Sequence, residues 1–164
     1  MAELHAITPL LTEDYKTVRL RALKDAPLSF GSTYERELQL TDEDWLARAT
    51  RLTNGRDIGF LARTDGKWSG LALCLILESD ATRGELISMW VAPEARRLGV
   101  GRQLISAIEQ WALSHGVKTL KLIVTSVNLS ALDFYHSLGF AKTGRIAPYP
   151  NDAAIEEYEM TKAI

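Results

Sequence analysis

The segment that decides the fold reads Pro93-Glu94-Ala95-Arg96-Arg97-Leu98-Gly99-Val100-Gly101-Arg102. Before it, residues 85–91 alternate in the manner of a strand, which we expect to be buried on both faces. After it, apolar side chains recur at helical spacing over about 100–115, and Gly116 can end that helix. Residues 118–125 follow as a further strand. A strand, a glycine turn, a helix and a strand in this order predict a parallel crossover connection.

The rest of the chain supplies the elements around that crossover. Asp65-Gly66 offers the positive φ angles of a tight turn between two antiparallel strands, and the end of the chain reads as another strand pair. The sheet is therefore predicted to be mixed, in an α/β or α+β layered domain that takes in residues 1–164. The expected strands are 4–10, 58–63, 68–77, 85–91, 118–125, 140–145 and 156–164. The first expected helix is capped by Thr12 and ended by Pro27, and the second starts at Thr41-Asp42-Glu43-Asp44, a pattern similar to a capping box. The other two expected helices are 100–115 and 129–138. In strand 85–91 we expect Glu85, Ile87, Met89 and Val91 on one side and Leu86, Ser88 and Trp90 on the other.

Composition excludes several classes of protein. The chain has 164 residues, the size of one domain, and its net charge of -2 gives no electrostatic footprint for nucleic acid. No apolar run approaches the roughly 20 residues that span a bilayer, and the N-terminus lacks a signal-peptide pattern, so we expect a cytoplasmic protein with no membrane contact. Cys74 lies in an apolar run as core filler. The histidines are scattered without ligand spacing, so no metal is expected.

The glycine turn has the properties of an anion site. A helix start presents unpaired N–H groups, and no Ser, Thr, Asp or Asn near Leu98 or Gly99 can cap them. Arg102 stands in the first turn, where a cation is disfavoured by about 0.3–1 kcal/mol, and a bound polyanion would reverse that cost. The glycine spacing alone is weak evidence, because two glycines at a fixed distance occur often by chance.

The turn resembles the signature of the GCN5-related N-acetyltransferases, which is Gln or Arg, two residues, Gly, one residue, and Gly or Ala. Here that is Arg96-Arg97-Leu98-Gly99-Val100-Gly101, and the order of elements is similar to the family's over essentially the whole chain. The resemblance implies a central, mostly antiparallel mixed sheet with helices on both faces. It also implies acetyl-CoA as the co-substrate.

Carried onto this chain, the resemblance implies a cofactor site along the fourth strand and the turn. The backbone of Met89 and Val91 is expected to pair with pantetheine, which requires the fourth and fifth strands to separate near 88–91. The N–H of Met89 is expected to meet the oxyanion. The residues implied for the pyrophosphate are Arg96, Arg97, Leu98, Gly99, Val100, Gly101 and Arg102.

Candidate catalytic residues follow from the same resemblance. Tyr135 resembles the family tyrosine that protonates the CoA thiolate, although by itself it also fits a packing residue with a surface hydroxyl. Asn128 can cap the helix that carries Tyr135 and can also contact the cofactor. Glu85 is the leading candidate for the base that deprotonates the amine, with Glu78 in reserve. A solvated carboxylate at a strand end, in an enzyme without a dedicated base, is the alternative for Glu85.

The acceptor side is less specified. Phe30 and Tyr34 are our candidates for lining the acceptor pocket, against the alternative that Phe30 packs in the core. Glu35 and Glu37 either face the pocket and favour a cationic amine or form a solvated face. Tyr149 carries the same ambiguity as Phe30.

The sequence thus predicts an N-acetyltransferase that acts on a primary amine of a small molecule or peptide by direct transfer in a ternary complex. Dimers are common in families of this kind, so a homodimer is expected. The alternative is a non-catalytic CoA-binding sensor or partner-binding module on the same fold. An unrelated phosphate- or nucleotide-binding domain fits less well, because a P-loop ending and an acidic ribose partner are missing.

Overall fold

One seven-stranded sheet organises the computed structural model, which describes residues 1–164. The strands are β1 (Glu3–Ala6), β2 (Asp57–Thr64), β3 (Lys67–Ile76), β4 (Arg83–Val91), β5 (Thr119–Thr125), β6 (Ala141–Tyr149) and β7 (Asp152–Ala163). Their spatial order is β1-β2-β3-β4-β5-β7-β6. Every neighbouring pair is antiparallel except β4 and β5, which are parallel. The predicted mixed sheet and parallel crossover are confirmed.

Five helices cover the two faces of the sheet. They are α1 (Thr12–Asp25), α2 (Tyr34–Leu38), α3 (Asp42–Arg51), α4 (Val100–Ser114) and α5 (Leu129–Ser137). One buried cluster joins α1 and α3 to one face, and a second joins α4 and α5 to the other. We call these the α1 face and the α4 face of the sheet.

Local sequence signals account for most helix and turn boundaries. Thr41 and Asp44 form the predicted capping box at the start of α3, with Asp44 N–H donating to Thr41 Oγ1 (3.1 Å) and Thr41 N–H to Asp44 Oδ2 (2.8 Å). The turn between β2 and β3 places Asp65 and Gly66 at φ 49° and 76°, as a tight hairpin requires. The buried stripe of α4 is the predicted one and includes Leu104 and Ile108.

Strand β4 departs from its predicted pattern. Ser88 has φ 57°, and the register to β3 slips by one residue between Ile87 and Trp90, which is a β-bulge. The bulge shifts the alternation, so that Ile87 and Trp90 contact the α1-face cluster while Met89 contacts the α4-face cluster. The predicted sidedness and the predicted burial on both faces are therefore wrong. Ile87 and Met89 are only half-buried because β5 separates from β4 beyond Glu85.

Other boundaries differ for identifiable reasons. The first strand ends at Ala6 instead of residue 10, because Pro9 opens a 3-10 turn, and Thr12 donates its hydroxyl to the Pro9 carbonyl (2.7 Å) instead of capping α1. The short helix α2 was not predicted. Strands β6 and β7 extend to a two-residue turn, and Pro148 lies within β6, which tolerates it as an edge strand. No helix combines the length and apolar character needed to cross a membrane.

Candidate active site

The site is a gap in the sheet between β4 and β5. The two strands pair only from Arg83↔Thr119 to Glu85↔Lys121 and then separate. A cleft of about 380 Å³ occupies the gap. Its lining comes from both faces, since Tyr135 and Ala131 of α5 meet it from the α4 face and the segment from Leu28 to Gly31 meets it from the α1 face. The predicted separation of the strands is confirmed.

The edge of β4 that faces the gap has free backbone groups. Ala92 N–H donates to the Ser69 carbonyl (2.8 Å), so this part of β4 turns alternate residues toward β3. Met89 and Val91 are the intervening residues of the strand, so their N–H and C=O groups point away from β3 and into the gap. Arg96 Nε donates to the Val91 carbonyl (3.0 Å). An extended ligand segment therefore finds the Val91 N–H and both backbone groups of Met89 available.

The turn before α4 presents a row of amides. Arg97 and Gly99 both have positive φ, at 63° and 83°, and α4 begins at Val100 without a side-chain cap. The first helical donor is Gln103, whose N–H reaches the Gly99 carbonyl (3.1 Å). The amides of Val100, Gly101 and Arg102 thus lack helical acceptors, as expected for an anion site.

The arginines of the turn have different surroundings. Arg97 and Arg102 are exposed and belong to no ion pair, and Arg102 makes only a long hydrogen bond to Ser137 Oγ (3.4 Å). Arg96 is bound to Asp25 Oδ2 through Nη2 (2.6 Å) and so fixes the turn to α1. Two of the three predicted cations are available to a polyanion, while the side chain of the third is already engaged.

The two glycines of the turn are required for different reasons. Position 99 requires glycine because its backbone is left-handed; space is not the reason, since a Cβ there would meet nothing within 4 Å. A Cβ on Gly101 would lie 2.9 Å from Phe134 Cζ and 3.2 Å from Met89 Cε. Gly99 therefore shapes the amide row, and Gly101 lets α4 approach α5 and β4. Leu98, which precedes Gly99, is exposed.

Tyr135 lines the cleft from a fixed position. It is 9% exposed, and its ring packs edge-on against Phe140 with centroids 5.9 Å apart. Burial raises the pKa of its hydroxyl, with no neighbouring charge opposing the shift. The packing alternative explains the ring, and the raised pKa keeps the hydroxyl protonated at neutral pH. Its role as the proton donor stays a prediction.

Asn128 has the predicted capping position. Its Oδ1 accepts the Ala131 N–H at the start of α5 (3.3 Å), and its Nδ2 donates to Ser29 Oγ (3.2 Å). It also lines the cleft. Asn128 therefore joins α5 to the segment after α1, and its contact with the cofactor stays a prediction.

Two carboxylates line the cleft. Glu85 lies where β4 and β5 separate, with Lys121 Nζ 3.8 Å from its Oε2. Glu157 of β7 also lines the cleft, and burial raises the pKa of its carboxyl. Sequence reasoning missed Glu157, because only the β5–β7 register, which sets it opposite Thr125, brings it to the site. Glu78 is not among the lining residues.

The segment from Leu28 to Gly31, where we expect the acceptor to bind, lines the cleft on the α1 face. Phe30 lines the cleft and is 4% exposed, so it both packs in the core and borders the site. Tyr34 is not part of the lining; it packs against the α1-face cluster beneath Lys24. Tyr149 holds the segment by donating its hydroxyl toward the carbonyls of Phe30 (2.7 Å) and Pro27 (3.0 Å). The ambiguity of Tyr149 is resolved in favour of packing.

Neither of the acidic residues discussed for a cationic acceptor lies in the cleft. Glu35 is exposed outside the lining. Glu37 is 2% exposed and is bound by Arg19 and Arg48, so its description as a solvated or pocket-facing residue is wrong. Burial raises the pKa of its carboxyl, but hydrogen bonding and charge from Arg19, helped by Ser32 and Arg48, bring the pKa down to about 2.

These features can be compared with known proteins. A model of the acetyltransferase (GNAT) family matches residues 17–140, which include the β4 edge, the amide row and Tyr135. The chain belongs to the GNAT family. Its resemblance to that family is thereby confirmed, and so is the acetyl-CoA-dependent chemistry that defines the family.

Individual GNAT relatives differ in what they acetylate. The N-terminal acetyltransferase B complex catalytic subunit naa20 of Schizosaccharomyces pombe is 27% identical over 69% of this chain and 74% of that protein. The IAA acetyltransferase of Azospirillum brasilense is 33% identical over 58% of this chain, which spans 63% of that relative's length.

Solved structures show the shared fold. A GNAT acetyltransferase from Streptococcus pneumoniae superposes with a TM-score of 0.81 at 21% identity, covering 100% of this chain and 99% of that one. The paia N-acetyltransferase of Thermoplasma acidophilum, solved with coenzyme A, has a TM-score of 0.78 at 18% identity with the same coverage. The predicted fold class is confirmed.

The residues of this chain fit acetyl-CoA as a ligand. The amide row and the free Arg97 and Arg102 suit a pyrophosphate, and the open edge of β4 suits an extended amide-containing arm. The structure contains no cluster of three or more His, Cys, Asp or Glu side chains in metal-binding geometry.

Proposed function

We propose that this GNAT protein N-acetylates a primary amine of a small molecule or peptide, by direct transfer while both substrates occupy the gap between β4 and β5. The observation that carries this proposal is the cleft itself, which is lined from both faces of the sheet. A donor held along β4 and α4 and an acceptor entering beside Phe30 would meet there without a covalent enzyme intermediate. Acetyl-CoA supplies the activated acetyl thioester when it is bound.

Backbone groups hold and orient the donor in this proposal. The amides from Arg97 to Arg102 bind the pyrophosphate, and the free groups of Met89 and Val91 bind the pantetheine arm. The Met89 N–H faces the gap just after the bulge, where it can stabilise negative charge on the acetyl oxygen. These roles need no side-chain ionisation.

Tyr135 and Glu85 move the protons. The buried hydroxyl of Tyr135 stays protonated at neutral pH because its pKa is raised, and it donates its proton to the departing thiolate sulfur. Glu85 accepts the proton of the amine through a water, from its position at the closed end of the gap. Lys121 beside Glu85 keeps that carboxylate oriented toward β5.

The test is an amine panel, including peptides with free N-termini, assayed for thiol release from acetyl-CoA with the parent and with Tyr135→Phe. We expect turnover with at least one amine, and a fall in kcat of about 100-fold for Tyr135→Phe with KM for acetyl-CoA unchanged, as for loss of a general acid. Binding of CoA without turnover of any amine would favour the sensor alternative. Full activity of Tyr135→Phe would remove Tyr135 from the mechanism.

A cytoplasmic location, a homodimer and a single domain over residues 1–164 stay predictions from the sequence. Fractionation, sedimentation velocity and a single cooperative unfolding transition would test them in turn. A monomer at micromolar concentration would contradict the dimer.

A further inference from the structure

Ser88 is held in its bulge by a side chain from outside the strand. Its φ of 57° is a conformation that L-amino acids rarely adopt. Arg19 of α1 donates from Nη1 to Ser88 Oγ at 2.8 Å. The bulge therefore has a specific hydrogen-bonding partner, 69 residues earlier in the chain.

Arg19 can hold Ser88 because the guanidinium is itself fixed. Glu37 binds it through two hydrogen bonds, from Nε to Oε1 (3.0 Å) and from Nη2 to Oε2 (2.8 Å). Arg48 donates to the same carboxylate (2.8 Å), and the Arg19 guanidinium lies 4.7 Å from the centre of the Phe30 ring. The Arg19 side chain is only 10% exposed. Glu37 thus engages Nε and Nη2, and Nη1 is the nitrogen that binds Ser88.

The conformation of Ser88 decides where the next amide points. The peptide plane between Ser88 and Met89 turns with the backbone angles of Ser88, so a left-handed Ser88 aims the Met89 N–H into the gap. If residue 88 relaxed to an extended conformation, the bulge would be lost and the alternation of the strand beyond it would reverse. The direction of this donor is then a consequence of Arg19.

We infer that Arg19 is a positioning residue for acetyl transfer, acting through Ser88 to aim the Met89 N–H at the reacting carbonyl. The inference rests on the proposed function for its effect on rate. The physical link from Arg19 to the bulge stands without it. Because Glu37 belongs to α2 and Phe30 borders the acceptor side, the same link ties the acceptor side of the cleft to the donor strand.

The experiment compares two Ser→Ala changes. Ser88→Ala removes the acceptor of Arg19, and Ser69→Ala removes a buried hydroxyl on β3 that bonds Thr64 Oγ1 (2.8 Å) and does not line the cleft. We expect Ser88→Ala to lower kcat about tenfold with KM for acetyl-CoA within twofold. Misdirecting the N–H donor to the oxyanion should cause part of the loss in rate that deleting such a donor causes. Ser69→Ala should keep kcat within twofold. Equal kcat values for the two variants would overturn the inference.

A double-mutant cycle and a structural readout complete the test. Adding Arg19→Met to Ser88→Ala should lower kcat no further than either change alone, whereas additive losses would overturn a shared pathway. Should Arg19→Met fail to fold, the Ser88 and Ser69 pair still decides. The three-bond HN–Hα coupling of residue 88 reports its φ without any activity. If Ser88→Ala leaves this coupling unchanged, the inference is overturned, even if the protein acetylates no amine. If the coupling changes but the protein is inactive, the result counts only against the proposed function.

Discussion

Gly99 and Gly116 form a matched pair that isolates the function of the amide row. Both glycines have left-handed backbones, at φ 83° and 81°, and at both a Cβ would meet nothing within 4 Å. Gly99 stands directly before α4 in the turn that we propose binds the pyrophosphate, whereas Gly116 follows the other end of the same helix. Replacing each by alanine applies the same backbone strain at two ends of one element.

The cost in stability can be worked from these angles. A left-handed alanine costs roughly 1–2 kcal/mol, and the stiffer unfolded chain returns roughly 0.4–1 kcal/mol of that. The net loss is about 1 kcal/mol for either variant, which lowers the Tm of a chain of this size by about 2–4 °C. Neither change creates a steric overlap within the protein, so the two losses should agree closely.

The two variants should separate in binding. At Gly99 the alanine methyl group occupies the space through which a phosphate approaches, and relaxation of the strain turns the amides away from their common direction. We expect Gly99→Ala to weaken CoA binding at least tenfold, or about 1.4 kcal/mol, while Gly116→Ala binds CoA as the parent does. Isothermal titration with CoA, combined with thermal unfolding of the free proteins, measures both quantities.

One result would refute the reasoning. If Gly99→Ala and Gly116→Ala lost equal stability and both kept the affinity of the parent for CoA, the turn before α4 would not be the pyrophosphate site. Unequal Tm values would instead show that strain at one of the glycines is relieved by its surroundings.

Three further predictions concern charge and burial. Replacing Arg97 and Arg102 together by alanine should weaken CoA binding and flatten its dependence on salt, because exposed unpaired cations act through screened attraction; an unchanged salt slope in titrations at two ionic strengths would contradict this. The pKa of Glu37 is lowered from 4.5 to about 2, so its stabilisation is complete above pH 4.5 and is lost as the pH falls toward 2. That loss is about 3 kcal/mol, and denaturant unfolding between pH 7 and pH 2.5 should show it in the parent and not in Glu37→Gln. Burial raises the pKa of the Cys74 thiol to about 12, so a thiol reagent at pH 8 should label Cys74 only in unfolded protein. Rapid labelling of the folded protein would contradict this and would show that the core around Cys74 opens transiently.

Local signals determined most of the architecture. The apolar stripe of α4, the capping box at Thr41 and the Asp65-Gly66 turn each act over a few residues, and each appears in the structure as predicted. The amide row follows from the same range of interaction, because a helix start without a cap depends only on its own sequence. Features of this kind can be predicted from the sequence because they depend on residues that are close together in the chain.

Long-range contacts decided the details of the site. The bulge at Ser88 reversed the expected sides of β4, and no local pattern announces it, because its partner Arg19 lies in another element. Glu37 was expected either to face the pocket or to lie on a solvated face, yet it is buried and bound by Arg19 of α1 and Arg48 of α3. A charge pattern shows which residues are ionic and does not show which of them meet.

By itself the sequence determined the order of the strands and longer helices, the parallel crossover and the uncapped glycine turn before α4, since propensity, capping and periodicity are properties of neighbouring residues. The separation of β4 and β5 was expected near 88–91 from the family resemblance, and the tertiary structure decided that it begins directly after Glu85. Only the tertiary structure decided that Glu157 joins Tyr135 at the cleft and that Arg96 forms an ion pair with Asp25. Strand register and the packing of helices on a sheet bring together residues far apart in the chain, and their free energy depends on the whole fold.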